Sequence, residues 1–143
     1  MNIYLAGPLF TLAEQLFNAR LAAAMRASTA GLEIILPQER AKPLLKQPNG
    51  LERVFRDCIE MIDQCDAVVA ILDGADADSG TCVELGYAFA QHKPIIGVRT
   101  DFRASEDRGL NLMVSHVCNV LLLGTSEDID SLAAKIRAAL PGA

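Results

Sequence analysis

Short apolar runs alternate along this chain with longer segments in which apolar residues recur at helical spacing. Five runs have the length and composition of buried strands: 3–6, 33–37, 66–72, 94–98 and 117–123. Helical periodicity is found in 12–28, 51–65, 80–92 and 126–140. This alternation predicts an α/β fold with right-handed crossovers between parallel strands. We expect a doubly wound, five-stranded parallel sheet of order 2-1-3-4-5 flanked by helices, a flavodoxin-like or Rossmann-like arrangement.

The remaining segments are predicted to be irregular. The stretch from Gln38 to Asn49 contains two prolines and several lysines, and we interpret it as a surface connection. Residues 100–108 read as a polar loop beyond a strand end, and 110–114 as either a short helix or an interface segment. Ser126 is a plausible N-cap for the last helix. No internal repeat or linker is evident, so we expect one domain over residues 1–143.

Composition argues against several classes of partner. The net charge is −5 and only 5% of the residues are aromatic, which disfavours binding to nucleic acid or an anionic membrane. The first residues do not have the pattern of a signal peptide, and no apolar run has the length of a membrane span. The four cysteines form no Cys-x-x-Cys pair, so we expect free thiols and no metal site. These features are typical of a soluble, cytoplasmic protein.

Two carboxylates follow the third predicted strand. Asp78 lies in the loop after the strand, and Glu84, six residues later, lies in the first turns of the next helix. Ligands of open α/β sheets bind outside the carboxyl ends of the strands, so this pair suggests acid/base or nucleophilic chemistry. In the alternative interpretation, Asp78 is only a helix N-cap and Glu84 a solvated carboxylate. The apolar neighbours of Glu84 predict a mostly buried helix, in which an unpaired carboxylate is costly.

The loop after the first strand is a second candidate. Gly7 allows close approach of the backbone to a ligand, and Pro8 ends the strand. The loop carries neither the Gly-x-Gly-x-x-Gly pattern nor the lysine of a P-loop, so neither nucleotide-binding motif applies.

Four segments of the chain resemble the motifs of the nucleoside 2-deoxyribosyltransferase family. They are YLAGPLF at 4–10, IDQCDAVVA at 62–70, DSGTCVELGYA at 78–88 and NLM at 111–113. They occur in the family's order and span most of the chain, and the third is the most specific.

The resemblance implies a mechanism for the two carboxylates. Glu84 matches the nucleophile that attacks the anomeric carbon of a 2′-deoxynucleoside, forming a covalent deoxyribosyl ester that a second base then attacks. Asp78 matches the acid that protonates the leaving base, and Tyr4 a tyrosine that holds the nucleophile. Tyr87 either reaches Glu84 along the helix or is a packed aromatic residue. No metal or organic cofactor is implied.

The resemblance also implies binding residues for a nucleoside and a free nucleobase. Phe10 matches an apolar wall of the site, with core packing as the alternative, and the backbone at Gly7 and Gly80 would lie close to the substrate. Asn111 and Met113 match positions that reach into a neighbouring subunit's site, which implies a homo-oligomer, either a dimer or a hexamer. The family often has a sugar-facing Asp or Asn where this chain has Cys58. Asp57, one residue earlier, is the candidate replacement, although one residue is about 100° around a helix.

Two alternatives to the transferase remain at this point. A relative in the same superfamily hydrolyses nucleoside 5′-monophosphates, and Ser79, Gly80 and Thr81 offer amides and hydroxyls for a phosphate. The first loop has no cationic residue before Arg20, which favours an unphosphorylated nucleoside. The second alternative is a non-catalytic nucleoside- or nucleotide-binding module, against which the presence of both Asp78 and Glu84 argues.

Overall fold

Five parallel strands form the sheet of this protein, whose computed structural model describes residues 1–28, 31–103, 110–124 and 128–142. The strands are β1 (Asn2–Ala6), β2 (Glu33–Ile35), β3 (Ala67–Ile71), β4 (Ile95–Arg99) and β5 (Val120–Leu123). The helices within these residues are α1 (Leu12–Ser28), α2 (Pro37–Leu45), α3 (Gly50–Gln64), α4 (Ser79–Ala90), α5 (Leu112–Val117) and α6 (Ile129–Ala139). The strand order is β2-β1-β3-β4-β5 and every neighbouring pair is parallel, so the predicted topology is confirmed.

Two apolar layers cover the two faces of the sheet. Alternate residues of a strand point to opposite faces, so Val69 and Ile71 of β3 pack with α1 and α6, whereas Val68 and Ala70 pack with α3, α4 and α5. Tyr4 belongs to the second layer. The hydroxyl-bearing side chain of β1 and the carboxylate-bearing helix α4 therefore share one side of the sheet.

The segment after β2 differs from the prediction. The interpretation of Gln38 to Asn49 as a surface connection is wrong for its first part, because α2 runs from Pro37 to Leu45. Pro37 occupies the first helical position, where its missing amide costs no hydrogen bond and its fixed φ suits the helix. Pro43 lies inside the same short helix. Pro37, predicted as the end of a strand, thus begins a helix, and Pro43, predicted in a loop, lies within it.

The C-terminal third resolves the ambiguity at 110–114. Asn111 caps α5, since its Oδ1 accepts a 2.9 Å hydrogen bond from the amide of Met113. β5 starts at Val120, later than predicted, because α5 extends to Val117. Asp128 caps α6 through the amide of Ser131 at 2.7 Å. The predicted cap Ser126 and most of the predicted loop 100–108 lie outside the described residues. Among the described helices, none is both long and apolar enough to cross a membrane.

Candidate active site

A tyrosine from the sheet and a glutamate from a helix form the centre of the candidate site. The Tyr4 hydroxyl donates a 2.6 Å hydrogen bond to Oε1 of Glu84, across 80 residues of sequence. Tyr4 is 1% exposed on β1, and Glu84 is half-buried on the second turn of α4. The pairing of the predicted nucleophile with the predicted tyrosine is therefore present in the structure.

The environment of Glu84 changes its acidity. Burial raises the pKa of Glu84 to about 7, a rise that the hydrogen bond from Tyr4 opposes and the negative charge of Asp78 increases. The thiol of Cys58 also favours the charged form. Burial and the neighbouring Glu84 raise the pKa of Tyr4, so its hydroxyl remains a proton donor. The Tyr4 and Cys58 side chains therefore offset part of the effect of burial, and the pKa of Glu84 lies close to neutral pH.

Asp78 caps the helix that carries Glu84. Its Oδ2 accepts hydrogen bonds from the amide of Thr81 at 2.9 Å and from the Thr81 hydroxyl at 3.1 Å. A Cβ at Gly80 would lie 3.1 Å from the same oxygen, so glycine leaves room for the cap. The capping interpretation is confirmed, and it leaves Oδ1 without a hydrogen-bond donor among the described residues. The cap thus fixes the orientation of the Asp78 carboxyl group through Oδ2, while Oδ1 can still contact a ligand.

Asp57 and Cys58 face different neighbours on α3. Both oxygens of Asp57 accept from Arg40 of α2, with Nε to Oδ2 at 2.7 Å. Cys58 instead packs in the layer of Tyr4 and interacts with Tyr4 and Glu84. The structure therefore brings Cys58, rather than the candidate Asp57, to the carboxylate of Glu84.

The first loop lies against β3 and leaves Phe10 outside. A Cβ at Gly7 would lie only 3.0 Å from Cβ of Ile71, so glycine here permits close packing of the loop on the strand, not only approach of a ligand. Phe10 is 74% exposed, which rules out the core-packing alternative within this chain. Its amide donates to Oε2 of Glu14 at 2.9 Å, and the amide of Thr11 donates to the same oxygen. An apolar side chain is thus presented on a tethered loop.

A family model described as nucleoside 2-deoxyribosyltransferase matches residues 3–113, which is most of the chain and includes all four motifs. The chain belongs to the nucleoside 2-deoxyribosyltransferase family. Membership supports an enzyme that acts on nucleosides.

The chain is also similar in sequence to two uncharacterised proteins. An uncharacterised protein of Ureaplasma parvum is 34% identical over 123 residues, covering 76% of this chain and 75% of that protein. A Schizosaccharomyces pombe protein is 46% identical over 48 residues, and the match spans 31% of this chain and only 23% of that protein's length.

Two solved structures share the fold. A 2-deoxyribosyltransferase of Bacillus psychrosaccharolyticus has a TM-score of 0.74 at 23% identity, covering 93% of this chain and 90% of that one. A CMP N-glycosidase of Clostridium botulinum has a TM-score of 0.64 at 18% identity, covering 96% and 99%. At these identities the likeness concerns the fold alone.

Three other predicted residues of this deoxyribosyltransferase-family chain lie at its surface or bind elsewhere. Tyr87 does not reach Glu84, because its hydroxyl donates to Oδ1 of Asp63 at 2.7 Å. Asn111 is engaged as the cap of α5, and Met113 is 72% exposed. The expectation of a mostly buried α4 is also wrong for one of its faces, where Val83 is 61% exposed.

Asn18 contributes to the site without having been predicted. Its side chain is 4% exposed and its Nδ2 donates to the carbonyl of Pro8 at 2.9 Å, which holds the loop that carries Phe10. The signal was present in the sequence, because Asn18 lies on the same helical stripe as Leu21 and Met25 of α1. A buried polar residue on an apolar stripe requires a hydrogen-bond partner, and here the partner is the first loop.

The hydrogen bond from Tyr4 predicts a pH effect. Tyr4→Phe removes a donor to the charged form of Glu84, so the pKa of Glu84 should rise from about 7 by about one to two units. A nucleophile must be ionised, so the rising limb of activity against pH should lie near 7 in the wild type and move upward in the variant. The measurement is kcat/KM for a 2′-deoxynucleoside between pH 5 and pH 9. Tyr87→Phe, which loses the bonds to Asp63 and Gln91 and none to Glu84, is the matched control. A rising limb at the same pH in Tyr4→Phe and the wild type would contradict this role.

Proposed function

We propose that the protein transfers 2-deoxyribose between nucleobases by two displacements at the anomeric carbon. The supporting observation is the 2.6 Å hydrogen bond that Tyr4 of β1 donates to Oε1 of Glu84 on α4, the helix that follows β3. Glu84 attacks C1′ of the bound nucleoside, the bond to the base breaks, and a deoxyribosyl ester forms on the carboxylate. The departing base takes a proton from Asp78. An incoming base then attacks C1′, the ester bond breaks, and the proton returns to Asp78.

Under this proposal the two oxygens of Glu84 have different tasks. Oε1 accepts the hydrogen bond from the Tyr4 hydroxyl, and the thiol of Cys58 also hydrogen-bonds to the carboxylate. We take Oε2, to which Tyr4 does not donate, as the attacking atom. The Tyr4 hydrogen bond stabilises the carboxylate both before attack and after the ester breaks, when the charge returns to Glu84.

The test is a base-exchange assay. The protein is incubated with 2′-deoxyinosine and excess adenine, and the products are separated by chromatography, with a parallel sample that omits adenine. Formation of 2′-deoxyadenosine would support the transferase. Hypoxanthine without a new nucleoside would instead indicate a hydrolase, and no product in either sample would contradict both proposals.

A second candidate is a hydrolase of 2′-deoxynucleoside 5′-monophosphates. Two observations favour it: the fold is shared with a CMP N-glycosidase, and α2 brings the cationic Arg40 to the neighbourhood of Cys58. Both oxygens of Asp57 already neutralise that guanidinium, so we place this candidate second. Comparing 2′-deoxycytidine with its 5′-monophosphate, each without an acceptor base, distinguishes the two. Faster release of cytosine from the monophosphate would favour the hydrolase.

We further propose that a second copy of the chain covers the outer faces of α3, α4 and α5. Large apolar side chains are exposed there: Phe55 at 61%, Val83 at 61%, Leu112 at 62% and Met113 at 72%. Apolar exposure of this extent is uncommon on a monomer. Val83 precedes the proposed nucleophile, so a partner on this face would lie beside the site and bring Asn111 and Met113 close to it.

Val83→Glu is expected to weaken both assembly and activity. The substitution places a charge in the proposed contact, where burying it unpaired is costly, so the variant should be of lower mass in light scattering. Exchange activity should fall by about tenfold or more if the partner completes the site. Leu16→Glu is the control, because Leu16 is 55% exposed on α1, away from this face. An unchanged mass of Val83→Glu would contradict the proposed contact, and a monomeric variant with wild-type activity would contradict a contribution of the partner to the site.

A further inference from the structure

A buried arginine lies at the carboxyl end of the sheet and has no acidic partner among the residues that the structure describes. Arg99, the last residue of β4, is 2% exposed and forms no ion pair within the described residues. Its Nη1 donates to the carbonyl of Leu72 at 2.6 Å, and its Nη2 donates to the carbonyl of Gly74 at 3.1 Å. Its Nε is buried without a partner among the same residues. Burying a cation that has no ion pair in this part of the chain is expensive, so its presence here calls for a reason beyond packing.

The arginine forms one half of a reciprocal link between two loops. The second half is Asp73, in the loop after β3, whose carboxylate bonds to the end of β4. Its Oδ1 accepts hydrogen bonds from the amides of Thr100 at 2.6 Å and Asp101 at 2.9 Å. Oδ2 of Asp101 in turn accepts from the amide of Gly74 at 3.2 Å. The start of the loop after β3 is therefore fixed to the end of β4 by both backbone carbonyls and side chains.

Gly74, whose carbonyl Arg99 binds, lies four residues before the proposed acid Asp78 in the sequence. Gly74 has a φ of +123°, and a Cβ there would lie 2.9 Å from the carbonyl oxygen of Asp76, so the chain turns sharply at glycine. Four residues later Asp78 caps α4. Arg99 is thus connected to Asp78 through its hydrogen bond to the carbonyl of Gly74, the turn at Gly74 and the short segment 75–77.

We propose that Arg99 is a positioning residue that acts through the loop 73–78 to place the carboxyl group of Asp78 for proton transfer to the nucleobase. The inference rests on the proposed function, because it assigns Arg99 to the acid step. The hydrogen bonds that Arg99 donates to the carbonyls of Leu72 and Gly74 fix the loop from inside the protein, where water does not compete for these carbonyls. The guanidinium fork supplies two separate donors to two carbonyls, whereas lysine would supply a single point charge.

The test is a double-mutant cycle with Arg99→Lys and Asp78→Ser. Serine retains an oxygen that can cap α4 but provides no acid. With 2′-deoxyinosine and adenine, Arg99→Lys is expected to lower kcat by roughly 10- to 100-fold while KM stays within about twofold, since small misplacements of a catalytic group cost this much. In the Asp78→Ser background the same substitution should change kcat by less than about twofold. The control Arg26→Met removes another arginine that donates to a backbone carbonyl, that of Ile34 at 2.7 Å, and should leave kcat unchanged.

The outcomes separate this inference from its premise. An equal loss in both backgrounds, or wild-type kcat in Arg99→Lys, overturns the role of Arg99. If Arg99→Lys does not fold, as judged by circular dichroism, Asp73→Asn tests the same link from the opposite loop under the same criteria. If the wild type neither exchanges nor releases bases, the proposed function fails instead. Amide hydrogen exchange over 74–78 then decides the structural part: faster exchange in Arg99→Lys supports the link, and unchanged exchange overturns it.

Discussion

Replacing Glu84 with glutamine should lower the rate of base exchange by about 10⁴-fold or more, because the amide retains the size of the side chain but not its nucleophilic oxygen. The measurement is the initial rate of 2′-deoxyadenosine formation from 2′-deoxyinosine and adenine at pH 8, where most of the wild-type Glu84 is ionised. Glu33→Gln is the control, since Glu33 is an exposed carboxylate on β2, away from the proposed contact with a second copy.

Stability provides a second measurement for the same variant. Burial raises the pKa of Glu84 to about 7 in the folded protein. Between the ordinary pKa of a glutamate and pH 7, the folded wild type therefore keeps a proton on Glu84 that the unfolded chain has released. The wild type therefore loses stability as pH rises through this range, by at most about 3 kcal/mol for a shift of this size, and the neutral glutamine variant does not.

We accordingly expect Glu84→Gln to be inactive and, above pH 7, more stable than the wild type in urea unfolding. This combination distinguishes loss of a nucleophile from loss of the fold. Digestion and mass spectrometry of wild type mixed with 2′-deoxyinosine alone should also find a deoxyribosyl adduct on the peptide containing Glu84. Exchange within tenfold of wild type in the variant would rule out the covalent mechanism.

The fold was predictable because its signals are local. Strand length, apolar content and helical spacing are each visible within a few residues, and parallel connection rules then leave few topologies. The sequence does not predict α2, because Pro37 is interpreted as the end of a strand and Pro43 as a loop signal, although proline at the first helical position favours a helix. In this case the same residue type has opposite meanings at positions a few residues apart.

The site was less predictable because its contacts are distant in sequence. The pairing of Tyr4 with Glu84 was implied only by family resemblance, since no periodicity joins residues that are 80 positions apart. The orientation of α3 shows the limit most directly. Asp57 and Cys58 are adjacent, yet one binds Arg40 and the other faces Glu84. Cys58 lies on the face of α3 that carries the buried Ile62, whereas Asp57 lies about 100° around the helix, on the side where α2, which the sequence does not predict, supplies Arg40.

Asp78→Ser should slow exchange from 2′-deoxyinosine by about 10²- to 10⁴-fold, the range expected for loss of a general acid. Serine is chosen over alanine because Asp78 also caps α4 through Thr81, and loss of a cap costs about 1 kcal/mol of stability. A stability close to that of the wild type would show that serine preserves the cap. Asp128→Ser, at the corresponding cap of α6, is the matched control and should leave kcat unchanged.

The leaving group separates an acid from a binding residue. The base of 7-methyl-2′-deoxyguanosine carries a positive charge and departs as a neutral molecule, so cleavage of its glycosidic bond requires no proton. The loss in Asp78→Ser should therefore shrink to about tenfold or less with this substrate, while Glu84→Gln should remain inactive with both. An equal loss on both substrates would mean that Asp78 binds or orients the nucleoside and that the proton comes from elsewhere. Because the two carboxylates act on different atoms of the same bond, only one of them should respond to the nature of the leaving base.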